Sequence, residues 1–160
     1  KMDFTIGGSI RQFASDVYNK MLENNEVQFR NLFFSPLSIH MALMMMVVGT
    51  DGVTREEMYR TLHIPAHLDK AALHKTVRNE IHKWTESSSN VQLSLANGLF
   101  LFQSATIDER FSQVLKENYN AETESIISIP DLEGKRRHLN SWVSKRTHEK
   151  IKELIPSGAL

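Results

Sequence analysis

The stretch Asn31-Leu-Phe-Phe-Ser-Pro-Leu-Ser-Ile39, followed by the apolar run Met41–Val48, decides the fold of this chain. Ser35 occupies the position of a helix N-cap and Pro36 that of the first helical residue, which supplies an acceptor for a free backbone amide and a preset backbone angle. The segment Leu32–Phe34 predicts a buried strand that leads into this helix. Because the helix has no polar face after its first turn, we expect it to be covered on all sides.

Composition indicates one globular domain without a charge bias. The 160 residues suffice for a sizeable core, and Lys+Arg and Asp+Glu balance at 19 each. There is no cysteine, hence no disulfide framework and no CxxC metal site. No apolar run approaches the roughly 20 residues that a membrane span needs. We therefore expect no nucleic-acid partner, no membrane partner, no metal site and no cofactor.

Helical periodicity and capping residues recur along the chain. The apolar positions between Ile10 and Leu22 follow the i, i+3, i+4 rule of an amphipathic helix. Thr54–Glu57 and Thr106–Glu109 have the form of capping boxes that open two further helices. Asp69 and Asp131 are predicted N-caps of two more. Helices outnumber strands in this reading.

Two segments alternate with the period of a β-strand. The first runs from Val91 to Phe102, and the second from Glu122 to Ile129, where Pro130 ends it. A sheet of so few apolar strands would leave an exposed edge that is prone to association. We therefore expect a partner chain, or another part of the same protein, to complete the sheet.

Several stretches, in the same order, resemble the serpin family, the serine protease inhibitors that trap proteases by changing conformation. The first is the Asn31–Ile39 stretch, and the resemblance extends over essentially all 160 residues. The other stretches are Gly49–Thr54, with Thr50 where Ala is more usual, Ala96–Phe100, Tyr119–Glu122, Leu139–Val143 and Thr147–Ile151.

The resemblance implies an α+β serpin fold over residues 1–160, as the N-terminal portion of a single domain. This portion would hold helices A to F, strands of sheet A and one strand of sheet B, and the missing C-terminal part would complete the sheets. The reactive-centre loop, which is the bait for the protease, would lie outside this chain. Either the chain is a piece of a cleaved or split serpin, or the remainder is not included.

The function that the resemblance implies is inhibition of a serine-type endopeptidase by a suicide-substrate conformational trap. The partners would be a target protease and the remaining serpin segment. The alternative is a non-inhibitory serpin that serves as a carrier, chaperone or storage protein. No GxSxG elbow, HExxH helix or glycine-rich phosphate loop supports an enzyme. An extracellular location is slightly favoured for an inhibitor, and a cytoplasmic one is the alternative because no leader is visible.

Four residues resemble the serpin shutter, the region beneath the main sheet where strands part to admit the reactive loop. These are Ser35, Pro36, Ser38 and Asn97. The serine hydroxyls would join a buried hydrogen-bond network. In the simpler interpretation, Ser35 only caps a helix and Ser38 satisfies a nearby carbonyl, and the two roles are compatible.

The predicted sixth helix, with Asn140 and Trp142, resembles the serpin helix F, which lies across the front of the sheet and would yield during loop insertion. The alternative is that Trp142 only belongs to a core stripe, and both interpretations predict its burial. The basic run Lys135–His138 is interpreted as a solvated face.

The predicted fourth helix carries a possible heparin-binding face. Its cationic or titratable residues are Lys70, His74, Lys75, Arg78 and His82. Clustered cations would bind a polyanion such as a glycosaminoglycan. If the histidines take part, retention on heparin should rise between roughly pH 7.5 and 6. The alternative is a solvated helix face.

Overall fold

A computed structural model describes residues 4–23, 31–86, 93, 95–104 and 106–160. The chain divides into two compact units, Lys1–Val77 and Arg78–Leu160. Three helices belong wholly to the first unit: α1 (Ile6–Leu22), α2 (Pro36–Val48) and α3 (Gly52–Thr61). Helix α4 (Lys70–Thr85) contains the division between the units.

The first unit buries the apolar faces of α1, α2 and α3 together with the first half of α4. Helix α2 contacts both α1 and α3, so the apolar run of the opening stretch lies at the centre of this core. The best-covered side chains, each at most 1% exposed, are Ile6, Met41, Met44, Val47, Leu62, Leu73 and Val77.

The start and end of helix α2 agree with the sequence. Ser35 is the N-cap in extended conformation, Pro36 is the first helical residue, and Gly49 is the C-cap. The expectation that α2 is covered on all sides is wrong for this chain, since Met46 is 51% exposed and Ile39 is 39% exposed. A helix without a polar face leaves apolar surface in water wherever no neighbour covers it.

The predicted strand Leu32–Phe34 is wrong. Residues 31–35 have no regular secondary structure, and Phe33 is 98% exposed. A strand needs a neighbouring strand to bond its backbone groups, and none pairs with this segment in the described part of the chain.

The single-residue caps were better predicted than the capping boxes. Asp69 accepts a hydrogen bond from the Ala72 amide at 3.1 Å, and Asp131 accepts one from the Gly134 amide at 2.6 Å, as expected.

Both predicted capping boxes are wrong: the N-cap of α3 lies three residues before Thr54, and the N-cap of the helix predicted at the second box lies two residues after Thr106. Helix α3 begins at Gly52, ahead of Thr54, with Asp51 as an N-cap that makes no side-chain cap bond. Helix α5 (Glu109–Tyr119) begins after Thr106, because Asp108 accepts a hydrogen bond from the Phe111 amide at 3.1 Å. At α5, Thr106 and Asp108 offer competing acceptors that the sequence pattern does not rank, whereas α3 begins without a side-chain cap bond.

The second unit contains a two-stranded parallel sheet and two helices. Strand β1 (Asn97–Leu101) pairs with β2 (Ala121–Ser125) in a register that runs from Asn97↔Ala121 to Leu101↔Ser125. Helix α5 connects the strands, as parallel pairing requires a long crossover, and Asn120 turns the chain into β2 in the left-handed conformation, with φ 49°. Helix α6 (Leu132–Arg146) follows β2.

Both strands are shorter than predicted. Val91, Gln92 and Ser94 lie outside the described residues, and regular pairing begins only at Asn97. The prediction that the second strand continues to Ile129 is wrong, because the chain turns after Ser125: the Ile129 amide bonds to the Ile126 carbonyl at 3.2 Å. Among the described residues the sheet contains only β1 and β2, so no third strand offers hydrogen bonds to a longer β2.

Candidate functional site

The serines that open helix α2 form a local hydrogen-bonded pair. The hydroxyl of Ser35 accepts a hydrogen bond from the Ser38 amide at 3.3 Å, and the two hydroxyl oxygens are 2.9 Å apart. Both residues are exposed. The capping role is therefore observed. The burial expected of a shutter network is not found for these two hydroxyls among the described residues.

Asn97 links the start of β1 to the end of α5. Its side-chain amide donates a hydrogen bond to the carbonyl of Tyr119 at 2.8 Å, and Tyr119 is fully buried. The bond satisfies a carbonyl of the last helical turn, which has no partner within the helix. Asn97 thus holds the end of α5 next to the start of β1, where the chain returns to the sheet.

Trp142 of helix α6 lies against β1. The rings of Trp142 and Phe100 meet edge to face with their centroids 5.2 Å apart. A Cβ atom at Gly98 would lie 2.9 Å from Cη2 of Trp142, so glycine is required for this approach. The indole N–H of Trp142 donates to Glu122 of β2. Helix α6 therefore packs on the sheet, where Trp142 makes both an apolar and a polar contact. Trp142 is only half-buried, so the predicted burial is incomplete.

Asn140 and Arg136, on another side of α6, hold the segment Glu153–Ile155. The Asn140 carbonyl oxygen accepts from the amides of Leu154 and Ile155, both at 2.9 Å, and its amide donates to the Ile155 carbonyl at 2.9 Å. Arg136 donates to the same carbonyl at 2.8 Å and to Glu153 at 2.7 Å. Asn140 is 7% exposed, and its hydrogen bonds to this segment are part-buried.

Sequence reasoning missed Arg136 by interpreting Lys135–His138 as a solvated face. Its side chain is only 12% exposed, and its guanidinium forms a bidentate pair with Glu133. The hydrogen bonds to Glu133, opposed by some desolvation and aided by Glu153, raise the pKa of Arg136 further above its ordinary value. The i, i+4 spacing of Arg136 and Asn140 places both on one helix face. This spacing could have indicated that Arg136 shares the contacts of Asn140.

Helix α4 does not present all five residues of the predicted heparin-binding face. His74 is 6% exposed, and burial, together with the nearby Lys70 charge, lowers the pKa of His74 to about 4. Its inclusion was wrong, because a helix face assigned by 100° steps does not show how far the neighbouring core extends. Lys70 is half-buried and donates to the Thr50 carbonyl.

Lys75, Arg78 and His82 remain exposed on α4. His82 is 3.1 Å from Glu86, so part of its surroundings is acidic. The heparin prediction is thereby reduced to three residues, of which two carry a fixed charge.

A buried polar group in the first unit was also missed. Ser9 of α1 donates a hydrogen bond to the Leu62 carbonyl, and its oxygen lies 2.8 Å from Nε2 of His40. His40 is fully buried, and its Nδ1 has no hydrogen-bond partner among the described residues. Burial lowers the pKa of His40, and the contact with the Leu62 carbonyl opposes this shift. His40 is therefore held neutral in the core.

The family model described as "Serpin (serine protease inhibitor)" matches residues 8–160. The chain belongs to the serpin family. The predicted family and serpin fold are thus confirmed, and the helices and partial sheet described above correspond to part of solved serpin structures.

The serpin relatives include proteins named as protease inhibitors. The chain is 36% identical over 155 residues to a "Leukocyte elastase inhibitor" of Xenopus laevis, covering 97% of this chain and 40% of that protein. It is 31% identical to an "Alpha-1-antiproteinase" of Bos taurus, covering 94% of this chain and 36% of the relative. The chain therefore spans about two-fifths of the length of the curated relatives it matches.

Solved serpin structures share this fold. Ovalbumin from emu superposes with a TM-score of 0.84 at 24% identity, covering 98% of this chain and 43% of that chain. AtSerpin1 of Arabidopsis, in its native stressed conformation, gives a TM-score of 0.81 at 23% identity and covers 98% and 40% respectively.

The described parts of this serpin chain contain no metal-binding arrangement, as no three His, Cys, Asp or Glu side chains converge there. None of the helices within the described ranges is both long enough and apolar enough to cross a membrane.

Proposed function

We propose that the protein to which this chain belongs inhibits a serine protease by conformational trapping. The observation that supports this proposal is the 36% identity, over 97% of the chain, to a serpin named for elastase inhibition. A reactive loop outside this chain would be cleaved to an acyl-enzyme and would then insert as a new strand. The trapped protease would be distorted before deacylation.

In this proposal the chain supplies the part of the sheet against which strands move. One edge of β1 pairs with β2, and the other edge has no strand beside it in the described residues. A row of free backbone N–H and C=O groups at such an edge favours addition of a further strand. Helix α6 lies on this sheet through Trp142 and would have to yield for the sheet to expand.

Formation of a covalent complex tests the proposal. The naturally expressed protein is incubated with elastase-like, chymotrypsin-like and trypsin-like proteases and analysed by denaturing gel electrophoresis. A stable complex with one of them, accompanied by loss of that protease's activity, is expected. A protease without its catalytic serine is the control and should form no complex. Cleavage of the chain without a complex would favour the alternative, a non-inhibitory carrier, chaperone or storage protein.

The shutter role of Ser35, Pro36, Ser38 and Asn97 is part of the same proposal. A bulky side chain at Ser38 would wedge the region under the sheet, so Ser38→Phe should promote polymers at physiological temperature, as seen on native gels. Ser141→Phe is the matched control, because Ser141 is exposed on α6. Monomeric Ser38→Phe under conditions in which the parent protein is also monomeric would contradict the shutter role.

Polyanion binding is a second candidate function, supported by the exposure of Lys75 and Arg78 on α4. Replacing both by Gln should lower the salt concentration at which the protein elutes from heparin and reduce the salt slope of binding by about 1–2. Lys152→Gln, at another exposed position, is the control. Unchanged elution of the double variant would remove this candidate.

A further inference from the structure

One stripe of helix α6 makes polar contacts with the sheet. Lys135, His138, Trp142 and Arg146 are spaced by three, four and four residues, which places them on one helix face. Each donates to a group on or directly after a strand. Their acceptors are the Phe102 carbonyl at 3.4 Å for Lys135, Glu124 at 3.0 Å for His138, and Glu122 for both Trp142 and Arg146.

Side chains alternate between the two faces of the sheet, and those on one face contact this stripe of α6. Glu122 and Glu124 are two residues apart on β2, so both side chains lie on the same face of the sheet. Their register partners on β1 are Gly98 and Phe100. Phe100 meets His138 edge to face at 6.4 Å between centroids, in addition to its contact with Trp142. The face under α6 is thus apolar on β1 and acidic on β2.

These acidic contacts are accessible to water. The side chains of Glu122 and Glu124 are 47% and 42% exposed, and those of Arg146 and His138 are 37% and 36% exposed. Half-exposed charge pairs stabilise only modestly and are readily exchanged for water. Several such contacts in a row hold a helix in place while each can be broken separately.

We propose that Glu122 and Glu124 are positioning residues that set how readily helix α6 leaves the sheet. Glu122 accepts hydrogen bonds from Trp142 and Arg146 and has its charge opposed by Arg146, and Glu124 accepts a hydrogen bond from His138. Removal of either charge loosens the helix without altering the apolar contacts of Trp142. The importance of this effect for inhibition rests on the proposed function, because a trap that inserts a strand requires α6 to move; the contact itself does not depend on it.

Hydrogen exchange of the backbone amides of α6 measures this opening directly. In the naturally expressed protein, Glu122→Gln and Glu124→Gln should each raise the exchange rate of α6 amides by about three- to tenfold. The double variant should exceed either single variant. Glu117→Gln is the control: it removes the same charge from α5, where Glu117 contacts Gln113, and should leave α6 unchanged.

A charge exchange separates an ion-pair role from a general structural one. Glu122→Arg combined with Arg146→Glu should restore part of the α6 protection that either substitution alone removes. Unchanged α6 exchange in the Glu122→Gln, Glu124→Gln double variant would overturn the proposal. An equal rise of exchange in α1, α5 and α6 would also overturn it, since that indicates loss of global stability.

The exchange measurement requires no protease, so the two proposals fail separately. If no protease forms a covalent complex but the α6 amides respond as expected, the positioning role stands and the inhibitor function fails. If complexes form and the α6 amides do not respond, the inhibitor function stands and the positioning role fails. Where both hold, the double variant should also change the ratio of covalent complex to cleaved chain.

Discussion

At the start of helix α2, Phe33 is 98% exposed and the capping serines face water. In helix α6, by contrast, Asn140 is 7% exposed and forms hydrogen bonds with both Leu154 and Ile155. Both regions carry stretches that resemble the serpin family. A recognised stretch therefore identifies a position in a fold, whereas its burial depends on which neighbours the chain supplies.

Asn140→Ala should give the largest effect. The substitution removes three hydrogen bonds, two from the part-buried amides of Leu154 and Ile155 and one to the Ile155 carbonyl, at a cost of about 2–4 kcal/mol in local or global unfolding free energy. Urea unfolding and exchange of the amides of residues 153–155 measure it. Asn118→Ala is the control, because Asn118 makes one bond, to the Val114 carbonyl of its own helix, and should cost less than about 1 kcal/mol. Equal losses of unfolding free energy in the two variants would contradict the role of Asn140 in holding residues 153–155.

Gly98→Ala tests how closely α6 approaches β1. The added Cβ would lie 2.9 Å from Trp142 and 2.7 Å from Phe100, so these rings must move, at a cost of about 1–3 kcal/mol. A change in Trp142 fluorescence should accompany the loss, measured in a Trp84→Phe background. Gly7→Ala is the matched control in α1, where nothing lies within 4 Å of the added atom; it should be neutral or stabilising. A neutral Gly98→Ala would show that the approach is looser than described.

Acid should open the first unit before it opens α6. Because burial lowers the pKa of His40, and lowers that of His74 to about 4, the unfolded chain takes up protons first as the pH falls. Stability is therefore full above about pH 6.5 and declines toward pH 4, by about 1–2 kcal/mol for His74 after allowance for its partial solvation. Amide exchange in α2 and α4 at pH 7 and pH 5 measures the decline.

Replacing both buried histidines tests the cause of this acid response. His40→Gln with His74→Gln should flatten the pH dependence of exchange in α2 and α4. His67→Gln is the control, because His67 is exposed. A double variant that retains the full acid response would assign it to other groups.

The helix caps should give the smallest effects and allow a direct comparison of the two regions. Ser35→Ala removes the cap of α2, and Asp131→Ala removes the 2.6 Å bond to the Gly134 amide that caps α6. Each substitution should lower the stability of its helix by about 1 kcal/mol. The loss in each case should be confined to exchange in the first turn of the affected helix. A much larger loss at Ser35 would favour a shutter role beyond capping.

The features that were predicted correctly depend on residues within a few positions of one another, such as helix caps and the apolar face of a helix. The N-caps at Ser35, Asp69 and Asp131 follow from side chains that reach a backbone amide three residues on. Helical periodicity predicts an α4 stripe of Leu73, Val77, Ile81 and Trp84; the first three are buried and Trp84 is half-buried. Capping boxes and strand ends were predicted less well, because competing acceptors and absent neighbouring strands are not visible in a short window.

Some residues of the candidate site were also predicted from the sequence, whereas others were found only in the structure. Asn140, Trp142 and Asn97 were named from the sequence through the family resemblance, but their partners came from the structure. Arg136, Glu122, Glu124 and His40 were missed, since a charged residue on a helix or strand reads as solvated until its tertiary partner is known. His74 was assigned to a surface that the core in fact covers.

The family, the order of the helices, and the capped junction at Ser35 and Pro36 can be predicted from the amino-acid sequence, since these depend on residue identity and on contacts within a few positions. The folded chain is needed to see that Glu122 and Glu124 face α6, that Asn140 holds residues 154 and 155, and that Phe33 is exposed. Those outcomes depend on contacts between residues distant in sequence, or on their absence, and no local pattern encodes them.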